Sequence, residues 1–257
     1  MKKNIYICII NSKKMKRAII VGASSGMGKG VSQLLLAEGW HIGIAARRKE
    51  ALEELKATKP DAVVTATIDV MSEDAPQRLE QLIADNGGMD LFFLASGIGK
   101  QNPLLDSEVE LRTVATNGMG FTRMVDTAFN WFASHGSKGH IAVISSIAGV
   151  KGLGMAPSYS ATKAFQNTYI EALQQLAHMR HLDISFTDIR PGFVKTDLLN
   201  DGKNYPLLMS KEKVSQQIFK AIKQQRSVKI IDWRYRVLVF FWRLIPRWLW
   251  VRLPIKN

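Results

Sequence analysis

Seven short apolar runs punctuate the chain from Lys16 onward: "RAIIV", "HIGIAA", "AVVTATI", "LFFLAS", "HIAVIS", "ISFTDI" and "VKII". Between most of them lie longer stretches whose apolar residues recur at helical spacing, such as "GKGVSQLLLAEG" and "APQRLEQLIADNG". Strands apolar on both faces need cover on both faces, which helices on either side of a parallel sheet supply. The expected fold class is therefore α/β, a three-layer α/β/α sandwich with a seven-stranded, mostly parallel sheet. A chain of 257 residues fits one core of ordinary-to-large size.

The net charge of +13 does not sit on that core. Residues 1–17 hold six Lys/Arg and no acid, residues 226–257 hold eight Lys/Arg and one Asp, and residues 18–225 carry 21 charges of each sign. The charge thus describes the two ends, and no nucleic-acid partner is expected. The single cysteine, Cys8, excludes an internal disulfide and suits a reducing, cytoplasmic setting. No Cys/His cluster has metal-ligand spacing, so no metal is expected. Residues 1–15 are expected to form a disordered leader. Their apolar run, Ile5 to Ile10, is too short for a secretion signal, and basic residues stand where a cleavage site would be.

At the end of the first run, "VGASSGMGKG" leads into a helical pattern. Gly22, Gly26 and Gly28 allow a sharp turn and close backbone approach to a pyrophosphate, which the free N–H groups of a helix start would meet. The spacing is G-x-x-x-G-x-G. A tight connection with no ligand is the alternative reading. The second run ends in Ala46-Arg47-Arg48, where a binder of NAD would offer a carboxylate to the ribose 2′-hydroxyl. Guanidinium groups there suit a 2′-phosphate instead, so NADP is favoured over NAD, with Ser24, Arg47 and Arg48 nearby.

In "PSYSATKAF", Tyr159 and Lys163 stand at i and i+4 and share a face if the stretch is helical. An ammonium beside a phenol favours the phenolate, which makes the pair a candidate proton switch. Taken alone, such a pair is more often an exposed helix face.

It does not stand alone, and the arrangement resembles the short-chain dehydrogenase/reductase family over about residues 16–230. The carriers are the glycine turn at the first strand, Ser146 in "VISSIAG" after the fifth, Tyr159 and Lys163 on the next helix, Asn117 in "TVATNGMG", and "RPGFVKT" after the sixth strand. The resemblance implies a Rossmann-type domain over residues 16–232. It also implies hydride transfer between nicotinamide and a carbon bearing oxygen, and a homodimer or homotetramer. It assigns Ser146, Tyr159 and Lys163, with Asn117, to catalysis. On the cofactor it places Gly22, Ser24, Ser25, Gly26, Met27, Gly28, Arg47, Arg48, Asp69, Val70, Ala95, Ser96, Gly97, Asn117, Tyr159, Lys163, Pro191, Gly192, Val194 and Thr196. Substrate would meet Ser146, Leu153, Tyr159 and Phe193. One departure is Leu94-Ala95-Ser96-Gly97, where the family commonly carries N-N-A-G. A catalytically silent sensor or scaffold that binds NADP(H) is the alternative function.

The loops expected to set specificity, 150–157 and 193–209, contribute Leu153, Met155, Phe193, Leu198, Leu199, Leu207, Leu208 and Met209, so an apolar carbonyl or alcohol is expected. The end of the chain, "WRYRVLVFFWRLIPRWLWVRL", interleaves tryptophan with arginine and is interrupted by charge. It reads as an amphipathic helical extension, 233–257, too broken to span a bilayer. Two uses stay open: packing, as cover for the body, a subunit contact or a cleft lid, or peripheral contact of 233–253 with the inner face of a membrane.

Overall fold

The computed structural model describes residues 15–196, 199 and 205–255. The leader expected at 1–15 lies, apart from Met15, outside the described residues, as does Leu198. All seven apolar runs become strands of one sheet: β1 (Arg17–Val21), β2 (His41–Ala46), β3 (Val63–Thr67), β4 (Leu91–Leu94), β5 (Gly139–Ile144), β6 (Ile184–Arg190) and β9 (Val228–Ile230). They run in the order β3-β2-β1-β4-β5-β6-β9, every pairing parallel. A two-stranded ladder of β7 (Val194–Lys195) and β8 (Met209–Ser210) stands apart from it.

Alternate strand residues feed opposite layers, as the pleat requires. Ala18 and Ile20 of β1 face a core built with α1 (Gly26–Ala37), α2 (Lys49–Thr58) and α7 (Lys211–Lys223), which contribute Leu35, Leu52 and Ile218. Ile19 and Val21 face a second core, with Leu79 of α3 (Ala75–Asp85), Phe129 of α5 (Phe121–His135) and Leu173 of α6 (Pro157–Met179). This is the three-layer Rossmann-type arrangement. Strand order reverses at β1, whose neighbours are β2 and β4, and such a reversal opens a crevice beyond the carboxyl ends of the strands.

Two further elements shape that crevice. Helix α4 (Ser107–Val114) passes into α5 through a wider π-helical turn, Ala115–Gly120, and Asn117 sits inside it. Past β9, α8 (Trp233–Leu244) and the short α9 (Arg247–Trp250) fold back over the body on either side of Pro246. Tyr235 and Val239 of α8 are buried in the first core. Among the described residues no helix is long and apolar enough to cross a membrane.

Candidate active site

A cleft of about 930 Å³ lies at the carboxyl edge of the sheet. It is lined by all the residues expected to touch cofactor or substrate except Asn117. At one end the glycine turn forms its wall. Gly22 has φ +95°, and a Cβ there would lie 2.5 Å from the amide nitrogen of Ser96. A Cβ on Gly28 would lie 2.1 Å from the Gly22 carbonyl oxygen. Both positions therefore require glycine, and the result is bare backbone facing the cleft. Ser25 precedes α1 without a side-chain capping bond, so the first-turn N–H groups are free to serve an anion.

The arginines follow at the end of β2. Arg48 donates from Nη2 to Ser24 Oγ at 3.2 Å, joining the glycine turn to the start of α2. Arg47, Arg48 and Lys49 crowd the N-terminus of that helix, where positive charge is unfavourable without a nearby anion. On the opposite wall, Asp69 accepts from the Met71 amide at 3.0 Å in a tight turn that presents Asp69 and Val70 to the cleft.

At the departure after β4 the backbone is held locally. The amides of Ala95 and Ser96 both donate to Val21 O, at 2.8 and 3.1 Å. Asn117 clamps the backbone just beyond them. Its Oδ1 accepts from Ile98 N at 2.9 Å, and its Nδ2 donates to Ile98 O at 2.7 Å. Asn117 is buried behind the cleft wall and shapes the floor without lining it.

At the other end stand Ser146, Tyr159 and Lys163. Ser146 ends β5's excursion: its Oγ accepts from Ala148 N at 3.1 Å and donates to Pro191 O at 3.4 Å. Its hydroxyl also bonds the Tyr159 phenol, which lowers that group's pKa, although loss of hydration raises it more. The net direction is upward, so the phenol rests protonated. This differs from a phenol drawn down by its lysine alone. The ammonium of Lys163 lies 5.7 Å from the Tyr159 ring centre. Its Nζ donates to Ile144 O at 3.0 Å and to Gln166 Oε1 at 2.9 Å. Burial pushes Lys163 down to about 8, against the opposing pull of the Asp188 charge.

Several contributors to the site had no signal in the sequence. Gln166, fully buried on the turn after Lys163, joins it to the π-turn by donating from Nε2 to Asn117 O at 2.9 Å. Asp188 lies under the centre, bonded by Ser145 Oγ and by Arg190 Nε, the latter at 2.7 Å. Glu110 accepts from Asn102 Nδ2 at 2.8 Å and from Ser158 N at 2.9 Å, anchoring the helix start that carries Tyr159. These bonds hold its carboxyl below the usual range, Asn102 being the largest cause. Tyr235 pins the far wall, its hydroxyl accepting from Phe193 N at 3.0 Å and facing Pro206 O at 3.1 Å.

Of the expected specificity residues, Leu153, Phe193, Leu199 and Leu207 line the cleft, and Met209 is buried in β8. Helix α8 adds Leu238 and Trp242 to the lining. Lys151 donates to Ile245 O and Trp250 Nε1 to Gly152 O, both at 2.8 Å, binding the 150–157 loop to the end of the chain. Among the described residues, no group of His, Cys, Asp or Glu is placed to hold a metal ion.

The family model described as short chain dehydrogenase matches residues 16–205. An uncharacterized oxidoreductase of Myxococcus xanthus is 30% identical over 90% of this chain and 93% of its own length. Dehydrogenase/reductase SDR family member 7B of Xenopus laevis is 27% identical over 83% of this chain and 72% of its own. In the fold, the chain is similar to a 3-ketoacyl-(acyl-carrier-protein) reductase from Brucella melitensis, solved with NADH. The TM-score is 0.73 and the identity 22%, over 84% of this chain and 96% of that one. A glycine-walled cleft at the strand reversal, in a chain that the family model matches over residues 16–205, makes the protein an oxidoreductase of the short-chain dehydrogenase/reductase family.

Proposed function

We propose that the protein interconverts an apolar carbonyl compound and its alcohol with NADP(H), Tyr159 acting as the general acid and base. The observation that carries this reading is the meeting of Ser146 and Tyr159 at the floor of one cleft, Lys163 behind them, with the bare glycine turn at the far end.

The residues present fit a dinucleotide. The uncapped start of α1 and the backbone opened by Gly22 and Gly28 would take the pyrophosphate. Arg47 and Arg48, with Ser24, would take the 2′-phosphate, which is the basis for preferring NADP. Asp69 and Val70 would border the adenine, and Pro191, Gly192, Val194 and Thr196 the nicotinamide side. When bound, the nicotinamide supplies or accepts the hydride.

The side chains do the rest. Tyr159, resting protonated, gives its proton to the carbonyl oxygen in the reductive direction. Ser146 donates to the same oxygen, where negative charge grows. The charge of Lys163 stabilises the phenolate left behind. Asn117 and Gln166 hold Lys163 and the strand end in register. Leu153, Phe193, Leu238 and Trp242 surround the substrate's apolar part.

In this reading residues 16–232 form the catalytic domain and 233–257 the C-terminal extension, whose described residues 233–255 close one side of the cleft. A cytoplasmic location, peripheral contact with the inner face of a membrane and a homodimer or homotetramer belong to the same reading. The test is consumption of NADPH and of NADH against a panel of apolar ketones and aldehydes, with identification of the alcohol. NADPH should be the better donor. Failure of every carbonyl to consume either cofactor, with both still bound, would point to the silent sensor.

A further inference from the structure

The last segment has two faces, and they differ in what they meet. Tyr235, Leu238, Trp242 and Ile255 turn inward and line the cleft. Outward, Trp233, Phe240, Leu244, Trp248 and Val251 are between 61% and 67% exposed. Aromatic and aliphatic surface of that extent, gathered on one short stretch, is unfavourable in water and marks a contact. Arg236, Arg243, Arg247 and Arg252 are exposed on the same stretch, and no Asp or Glu occurs between residues 233 and 255.

The charge selects the occupant. A second copy meeting this face through a two-fold axis would bring arginines against arginines with no acid to pair them. Tryptophan interleaved with arginine suits the headgroup depth of a bilayer, the rings among the upper acyl chains and the guanidinium groups on lipid phosphates. Among the described residues no helix is long and apolar enough to span, so the segment would lie on the surface. The rim agrees: Leu207 and Leu208 are exposed beside it, in the segment to which the Tyr235 hydroxyl is bonded at 3.2 Å through Leu207 O.

We propose that α8 and α9 rest on an anionic lipid surface and that the cleft draws its substrate from it, the substrate being a long-chain carbonyl or alcohol dissolved in the bilayer. This rests on the oxidoreductase reading above and names the substrate class for that same cleft. One segment lines the cleft on its inner side and meets lipid on its outer side, so a substrate can enter without crossing water.

The full chain is tested with vesicles of phosphatidylcholine alone and of phosphatidylcholine with phosphatidylglycerol, alongside Phe240→Ser/Phe241→Ser/Trp248→Ser and Arg243→Glu/Arg247→Glu. None of these residues lines the cleft, and NADPH binding reports that each variant is folded. The wild type should sediment with the anionic vesicles, less so at high salt, and each variant should lose roughly tenfold in partitioning. Turnover of a long-chain ketone carried in the vesicles should fall about tenfold in parallel, while turnover of a short water-soluble ketone stays unchanged. Equal binding to neutral and anionic vesicles, or variants that bind as the wild type does, overturns the proposal. So does binding of duplex DNA or an acidic protein in place of vesicles. Turnover of the soluble ketone with no gain from vesicles overturns the proposal and leaves the oxidoreductase reading intact. Vesicle binding with no turnover of any ketone overturns both.

Discussion

Lys163 keeps its charge in a buried place, and the cost is visible in its pKa, brought down from 10.5 to about 8. Because the folded form resists the proton, stability contributed by the neutral amine is present above about pH 10.5 and is lost as pH falls to about 8. At neutral pH the penalty is roughly 3 kcal/mol, from the pKa difference alone. Lys163→Met removes that penalty but leaves Ile144 O and Gln166 Oε1 without their donor, a cost of similar size, so turnover should collapse while stability changes by no more than about 3 kcal/mol. Urea unfolding beside activity measures both, and retained turnover would contradict the role given to the ammonium. The same group sets a pH limit: kcat/KM should fall as pH rises through about 8, where the ammonium is lost. At the cleft's other end, Arg47→Asp with Arg48→Asp should lower the preference for NADPH over NADH by at least about tenfold, since charge-assisted phosphate bonds are replaced by repulsion. An unchanged ratio would mean that neither arginine reads the 2′-phosphate.

Strands β5 and β6 meet through a buried polar pair whose protonation ties the sheet to pH. His140 of β5 and Thr187 of β6 are 2.8 Å apart, and burial lowers the imidazole from 6.5 to about 4. The unfolded chain takes up a proton below about pH 6.5 that the folded chain refuses until about pH 4. Stability present above that window is lost as pH falls through it, by roughly 3 kcal/mol. His140→Gln should flatten the decline, and denaturant midpoints across the window would show whether it does. At this scale the strands were readable because each lies in a short, mostly apolar run, with the central β1, β4 and β5 buried on both faces, and α6 because its apolar spacing is helical. Tyr159 and Lys163 share that helix four residues apart, so their proximity is local. Glu110, Asp188 and Asn117 reach their partners across 48, 43 and 19 residues of chain respectively. No local pattern carries such pairings. The π-turn around Asn117 has a similar origin, since "ATNGMG" continues a helical pattern and its widening is set by bonds to Ile98 and Gln166.

Across the whole molecule, the cleft follows from topology: the reversal at β1 gathers loops from β1 to β6 at one edge. The end of the chain completes it in a way that composition alone left open. The helices of "WRYRVLVFFWRLIPRWLWVRL" have an inner side packed on Gly192 and an exposed outer side, where the proposed lipid contact would lie. A Cβ on Gly192 would lie 2.2 Å from the Tyr235 ring, so Gly192→Ala should displace α8 and weaken substrate binding. Raised KM for an apolar ketone would register that loss, and an unchanged KM would remove α8 from the substrate's wall. Proton transfer in the proposed reaction rests on the phenol of Tyr159. The most direct measurement compares wild type and Tyr159→Phe for NADPH binding by fluorescence and for NADPH consumption with an apolar ketone. Affinity should remain within about twofold while turnover falls by a factor on the order of a thousand. Turnover within about tenfold of wild type would contradict the proton transfer assigned to Tyr159.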